Sequence, residues 1–106
     1  MALRDRKSVP GKAGAVLLSS ERTGELLREV VGWSVRENKI RKSLKFADFV
    51  SAMDFLNRVA ELAEQEGHHP DFCVHYNEVE LTLWSHDAGG LSENDFIVAS
   101  KIDALL

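Results

Sequence analysis

EQEGHHPDFCVHYNEVELTLWSHDAGGLSEND, residues 64–95, is the stretch around which the rest of the chain is arranged. Val79, Leu81 and Leu83 alternate with Glu80, Thr82 and Trp84, the period of a strand with one covered and one wet face. Phe72 to Tyr76 predicts a shorter strand before it, with Asn77-Glu78 as the turn between them. Gly67 is suited to close a preceding helix and Pro70 cannot continue one, so the helix ends near residue 66. Asp87-Ala88-Gly89-Gly90 breaks the second strand. Ser92-Glu93-Asn94-Asp95 then resembles a capping box, with Asp in place of Glu, opening a last helix that runs to about residue 105.

Working outward, apolar residues at 49, 52, 53, 56, 59, 60 and 63 form a helical stripe over four turns, with Asp48 as its cap. Ile40, Lys42, Leu44 and Phe46 alternate with Arg41, Ser43 and Lys45, although Lys42 spoils the apolar phase. Trp33 to Arg36 predicts a further strand, turned at Glu37-Asn38-Lys39. Leu26, Leu27, Val30 and Val31, after Ser19-Ser20, predict a first helix over roughly 20–31. The order is αββαββα. It implies an α+β, two-layer fold: one four-stranded antiparallel sheet with helices packed on one face.

Residues 1–18 hold Pro10, Gly11 and Gly14 with no regular period. They are read as a flexible basic arm rather than a transit peptide, and residues 19–106 as the folded domain. The apolar run Ala15–Leu18 is too short for a secretory signal, and no run approaches the ~20 residues that cross a bilayer. With a net charge of −4 over 106 residues, the chain does not fit direct nucleic-acid binding by phosphate neutralisation. The single cysteine, Cys73, fits a reducing compartment and hence the cytoplasm. Its place in an apolar strand predicts a buried side chain rather than a nucleophile.

All four histidines lie in the opening stretch, and three of them, His68, His69 and His86, sit at its key points. His68 and His69 sit at the corner after the helix, and His86 follows the second strand. A hairpin brings the end of that strand opposite the start of its partner, which sets His86 near His68-His69-Pro70. Glu64 lies one helical turn before His68, and Asp95 is in the first turn of the last helix. Imidazoles with carboxylates to orient them suit proton transfer near neutral pH. They also suit zinc or iron, although the i,i+4 histidine pair of helical zinc sites is missing. A structural or solvated cluster is the third reading. His75 is expected at solvent and Trp33 in the core. Trp84 falls on the outer face of the sheet, as a subunit interface, a ring-stacking surface, or a surface covered by the arm.

Glu64, His68-His69-Pro70, Tyr76, His86 and Asp95 together resemble the pterin-4a-carbinolamine dehydratase family. Gly32-Trp33, Phe46-x-x-Phe49, Arg58-Val59-Ala60, Tyr76-Asn77 and Gly90-Leu91-Ser92 extend the resemblance over about residues 18–106. It implies dehydration of 4a-hydroxytetrahydropterin to quinonoid dihydropterin, recycling tetrahydrobiopterin with no metal and no organic cofactor. It casts His68, His69 and His86 as catalytic, with Glu64, Asp95, Pro70 and Phe72 supporting them or binding substrate. It also implies a homodimer or homotetramer. The alternative it carries is a noncatalytic binding module, either a dimerisation cofactor of a transcription factor or an assembly chaperone. The chain departs from the family pattern at Phe72, where Trp is frequent, at Ser85, where Thr is frequent, and at Gly67, where an acid is frequent.

Overall fold

The computed structural model describes residues 2–11 and 14–106. In chain order the elements are α1 (Ser20–Leu27), β1 (Ser34–Arg36), β2 (Lys39–Lys45), α2 (Phe49–Glu66), β3 (Asp71–His75), β4 (Glu78–Leu83) and α3 (Glu93–Asp103). One-turn 3-10 helices lie at Leu3–Asp5 and His86–Ala88. The strands form one antiparallel sheet in the order β1-β2-β4-β3, with helices over one face, as the alternation predicts.

The register explains the layer. Ile40 pairs with Leu83, Lys42 with Leu81 and Leu44 with Val79, so one face of β2 and β4 carries the apolar set. Val79, Leu81 and Leu83 are fully buried on that face beneath Phe55, Val59, Phe96 and Ile102. Each such side chain contributes about 1.5–3 kcal/mol relative to leaving it exposed.

Helix α2 keeps its expected ends. Asp48 accepts the Ser51 N–H, and Gly67 closes the helix in the left-handed region at φ 64°. Its buried face is rotated from the expected stripe, running through Ala52, Phe55, Leu56, Val59, Ala63 and Glu66. Phe49 and Ala60 are exposed. Phe55 turns inward because Phe46, entering from β2, offers it a ring at 5.1 Å.

Other local expectations shift by a few residues, each for a tertiary reason. Helix α1 stops at Leu27, not 31. The Val31 N–H is taken by the Asp103 carboxylate and its carbonyl by the Lys42 ammonium, which removes both from any helical ladder. The β3–β4 turn is Tyr76-Asn77, one residue earlier than expected, with Tyr76 at φ 54°. Asn77 is fixed there by a two-way exchange with Phe46, both bonds 2.8 Å. Cys73 is exposed rather than buried: it pairs with Glu80, on the phase opposite Val74 and Val79. Trp33 is in the core and His75 at solvent, as expected.

Lys42, the residue that spoils the β2 pattern, points into the apolar layer. Its Nζ lies 2.7 Å from Asp103 Oδ1, and the same oxygen accepts the Trp33 indole N–H at 2.9 Å. The ion pair ties the sheet to the end of α3.

Helix α3 is buried over almost its whole circumference, from Asn94 to Ser100. A helix covered all round needs a partner on its far side. That partner is the segment preceding α1. Leu3 joins the core, Arg6 pairs with Glu93 at 2.7 Å, and Val9 exchanges two hydrogen bonds with the Asn94 side chain. Ser8 donates its N–H to Glu66 Oε1, and its hydroxyl to the Glu66 carbonyl.

Glu66 makes this joint sensitive to acid. Burial pushes its carboxyl up, but the Lys101 ammonium at 2.8 Å, the Ser8 N–H and the charge of Lys7 together hold it below its ordinary value of 4.5. A lowered folded-state value gives stability that is present above pH 4.5 and lost as pH falls through the folded value. Urea midpoints measured across that range should therefore fall on acidification, and Glu66→Gln should remove that part of the slope.

Candidate active site

The corner after α2 is made by Gly67 and Pro70. The left-handed Gly67 reverses the chain while its N–H and that of His68 both return to the Ala63 carbonyl. A Cβ on Gly67 would lie 2.6 Å from Pro10 Cγ, so the turn also depends on a bare backbone there. The reversal sends His68 and His69 in different directions.

His68 turns inward. Its Nε2 lies 2.5 Å from Asp95 Oδ1. Asp95 is 0% exposed. Its other oxygen, Oδ2, accepts the Ser85 hydroxyl at 2.9 Å and the Ser92 N–H at 2.9 Å. The latter is the expected capping contact of α3, so one carboxylate both starts the helix and faces an imidazole. A carboxylate accepts and does not donate, so His68 presents its N–H at Nε2, leaving Nδ1 as the nitrogen free to exchange a proton. The single Ser85 proton goes to Asp95, so the Ser85–Ser92 contact of 2.6 Å is donated by Ser92.

His69 turns outward to the Glu64 carboxylate. The expected i,i+4 pairing of Glu64 with His68 is not made, because the helix has ended at Glu66 and Gly67 has changed the direction of the chain. The Glu64–His69 pair is exposed, where such contacts add at most about 1 kcal/mol.

His86 opens the one-turn helix after β4. The segment from Ser85 to Gly90 is closed by a bridge between those two residues, with Gly89 at φ 72° supplying the return. Trp84 stacks on His86, with ring centroids 3.7 Å apart. The Trp84 Nε1–H donates to Asp71 Oδ2 at 3.2 Å.

A cleft of about 270 Å³ gathers these parts. His68, His69, Pro70 and His86 line it, with Asp71, Trp84, Ser85, Gly11 and Ala15. Thus the hairpin brings His86 to the His68-His69-Pro70 corner as its geometry requires. Phe72 lies on β3, 52% exposed, and is not part of the lining; Glu64 reaches the cleft only through His69. Among the described residues, no group of three or more His, Cys, Asp and Glu side chains is placed to hold a metal ion.

Two participants escape a reading of the motif alone: Ser85 as a donor to Asp95, and Asp71 as the acceptor of the Trp84 indole. Ser85 and Ser92 donate to Asp95, Trp84 stacks on His86, and Asp71 accepts from Trp84. Ser85 carries one local signal, a hydroxyl residue directly before the histidine. Trp84 has another, a large ring in the polar phase of its strand.

Comparison with known proteins places the chain among relatives of one kind. The family described as Pterin 4 alpha carbinolamine dehydratase matches residues 16–105. A Rubrobacter xylanophilus protein that carries the name pterin-4-alpha-carbinolamine dehydratase provisionally is 42% identical over 97% of both chains. Arabidopsis thaliana pterin-4-alpha-carbinolamine dehydratase 2, mitochondrial, is 40% identical over 97% of this chain and 58% of its own. The crystal structure of a transcriptional coactivator/pterin dehydratase from Brucella melitensis superposes with a TM-score of 0.80 at 36% identity, covering 83% of this chain and 96% of that one. A pterin dehydratase-like RuBisCO assembly factor of the alpha-carboxysome gives a TM-score of 0.57 at 28% identity, over 69% and 84%. With the family model matching residues 16–105, a relative 42% identical over 97% of both chains and the fold in agreement, the chain belongs to the pterin-4-alpha-carbinolamine dehydratase family.

Proposed function

We propose that the protein converts 4a-hydroxytetrahydropterin to quinonoid dihydropterin and water by histidine acid–base catalysis, and so recycles tetrahydrobiopterin. The observation that carries this reading is the His68–Asp95 pair at the wall of the cleft. Dehydration breaks the C4a–O bond, forms a C=N bond, and needs one proton delivered to the leaving hydroxyl and one removed from a ring N–H. Asp95 orients His68 and stabilises the imidazolium that forms when it accepts a proton, as carboxylates do for histidine bases elsewhere. His68 is therefore the base toward the ring. His86, which lines the same cleft and is held against Trp84, is the acid toward the hydroxyl. His69, oriented by Glu64, binds the pterin edge with Pro70. The imidazoles end in exchanged protonation states, and solvent at the open cleft restores them. Phe72 is the expected binding residue with the least support, since it stands outside the lining.

The alternative is a noncatalytic binding or assembly role, and the named relatives show that such roles occur on this fold. A cleft lined by all three histidines favours chemistry. A homodimer or homotetramer and a cytoplasmic site of action belong to the same proposal; β1 and β3 are open sheet edges through which copies could pair.

The test is a stopped-flow absorbance assay with the 4a-hydroxypterin generated in situ by a hydroxylase, in the presence of chelator. Wild type should accelerate dehydration. His86→Ala should be slower by ~10²-fold or more, in the range expected for a lost general acid. A folded wild type that gives no acceleration would move the weight to the binding role.

A further inference from the structure

His86 is exposed and sits on a single turn of 3-10 helix, a poor platform for a group that must meet a substrate within a few tenths of an ångström. What restrains it is an aromatic wall. The Trp84 indole stacks on the imidazole at 3.7 Å, with the planes 34° apart. The indole is itself held at two points. Its Nε1–H donates to Asp71 Oδ2 at 3.2 Å, and Lys39 Nζ lies 4.6 Å from the ring centroid. Asp71 directly follows Pro70 of the histidine corner, and β3 and β4 pair beside it, Asp71 against Thr82. The Asp71–Trp84 bond therefore links the His68-His69 corner to His86 across the end of the hairpin.

We propose that Trp84 is the positioning residue for His86, and that Asp71 and Lys39 fix its ring in the orientation that holds the imidazole toward the cleft. The ring face, 3.7 Å from the imidazole, restricts its rotation and so fixes the direction in which its N–H groups point. Asp71 acts one step further out, by keeping the indole from swinging into the cleft or away from it. This inference rests on the role given to His86 above.

Two readouts on the intact 106-residue chain test it. The first is the His86 Hε1 resonance, assigned by its loss in His86→Ala. The indole ring current should hold it upfield in wild type and in Trp84→Phe, and it should move to an ordinary position in Trp84→Leu. The second is the split between kcat and KM. Trp84→Leu should lower kcat by about tenfold with little change in KM, as for an interaction expressed mainly in the transition state. Trp84→Phe, which keeps a ring but no N–H, should restore most of kcat. Asp71→Ala should lower kcat in the wild-type background and do nothing further in Trp84→Phe. A raised KM with kcat intact in Trp84→Leu would overturn the proposal, because Trp84 would then be a surface for the substrate. Loss of the upfield shift with kcat unchanged overturns it as well. Normal turnover in His86→Ala removes the catalytic reading of His86 and the purpose of the stack together, whereas the other failures leave that reading standing.

Discussion

Replacing His68 with Ala should lower dehydration turnover by ~10²-fold or more while the protein remains folded, because a positioned proton-transfer group is lost from a partly open cleft. Asp95 provides the finer test. Its carboxylate holds three donors, the His68 ring, the Ser85 hydroxyl and the Ser92 N–H. Asp95→Ala would confuse two effects: it removes the orienting group, and it deletes a helix cap worth ~1 kcal/mol. Asp95→Asn keeps the volume and one acceptor oxygen but loses the charge that stabilises an imidazolium. Its kcat should approach that of His68→Ala, with KM changed much less. The double variant His68→Ala/Asp95→Asn should be scarcely slower than either single variant, since residues acting as one unit are not additive. Near-normal turnover in both single variants would discard the acid–base assignment for this pair.

The largest effect on stability is expected at the opposite end of α3. Asp103→Ala should destabilise the fold by about 3–5 kcal/mol in urea unfolding, the usual cost of stranding one partner of a buried pair. The Lys42 and Asp103 side chains are 8% and 15% exposed. Removal of the carboxylate leaves the Lys42 ammonium with only the Val31 carbonyl, and leaves the Trp33 and Val31 N–H groups without their acceptor. Lys42→Met should cost less, because Asp103 would keep two N–H donors and is the more exposed partner. Replacing both, as Lys42→Met/Asp103→Leu, should recover only the part of the Asp103→Ala loss that comes from the stranded ammonium, since the Trp33 and Val31 N–H groups still lack their acceptor. Equal losses in Asp103→Ala and Lys42→Met would show that the pair acts as a simple charge contact rather than as an acceptor hub. A whole domain is stable by only about 5–15 kcal/mol, so Asp103→Ala brings this one close to unfolding.

These two sites show how the sequence and the tertiary structure divide the work. The αββαββα order, the four-stranded sheet and the ends of α2 are local in origin. They follow from side-chain period, from Asp48 as a cap, and from Gly67 and Pro70 as stops, so the sequence by itself determined them. The meeting of His86 with the His68-His69 corner was equally legible, because a hairpin fixes which ends of its strands are neighbours. Pairings across elements were not. The sequence offers Glu64 to His68 at helical spacing, yet the reversal at Gly67 hands Glu64 to His69 and gives His68 to Asp95, 27 residues away. Lys42 reads as an error in an apolar pattern until Asp103, 61 residues on, supplies its charge. The buried face of α2 turned toward Phe55 because Phe46 is there, and the all-round burial of α3 depended on the segment around Leu3 and Ser8 lying along it. Periodicity reports which residues avoid water, whereas the choice among several available partners is made by three-dimensional proximity and by the need to satisfy every buried charge and donor.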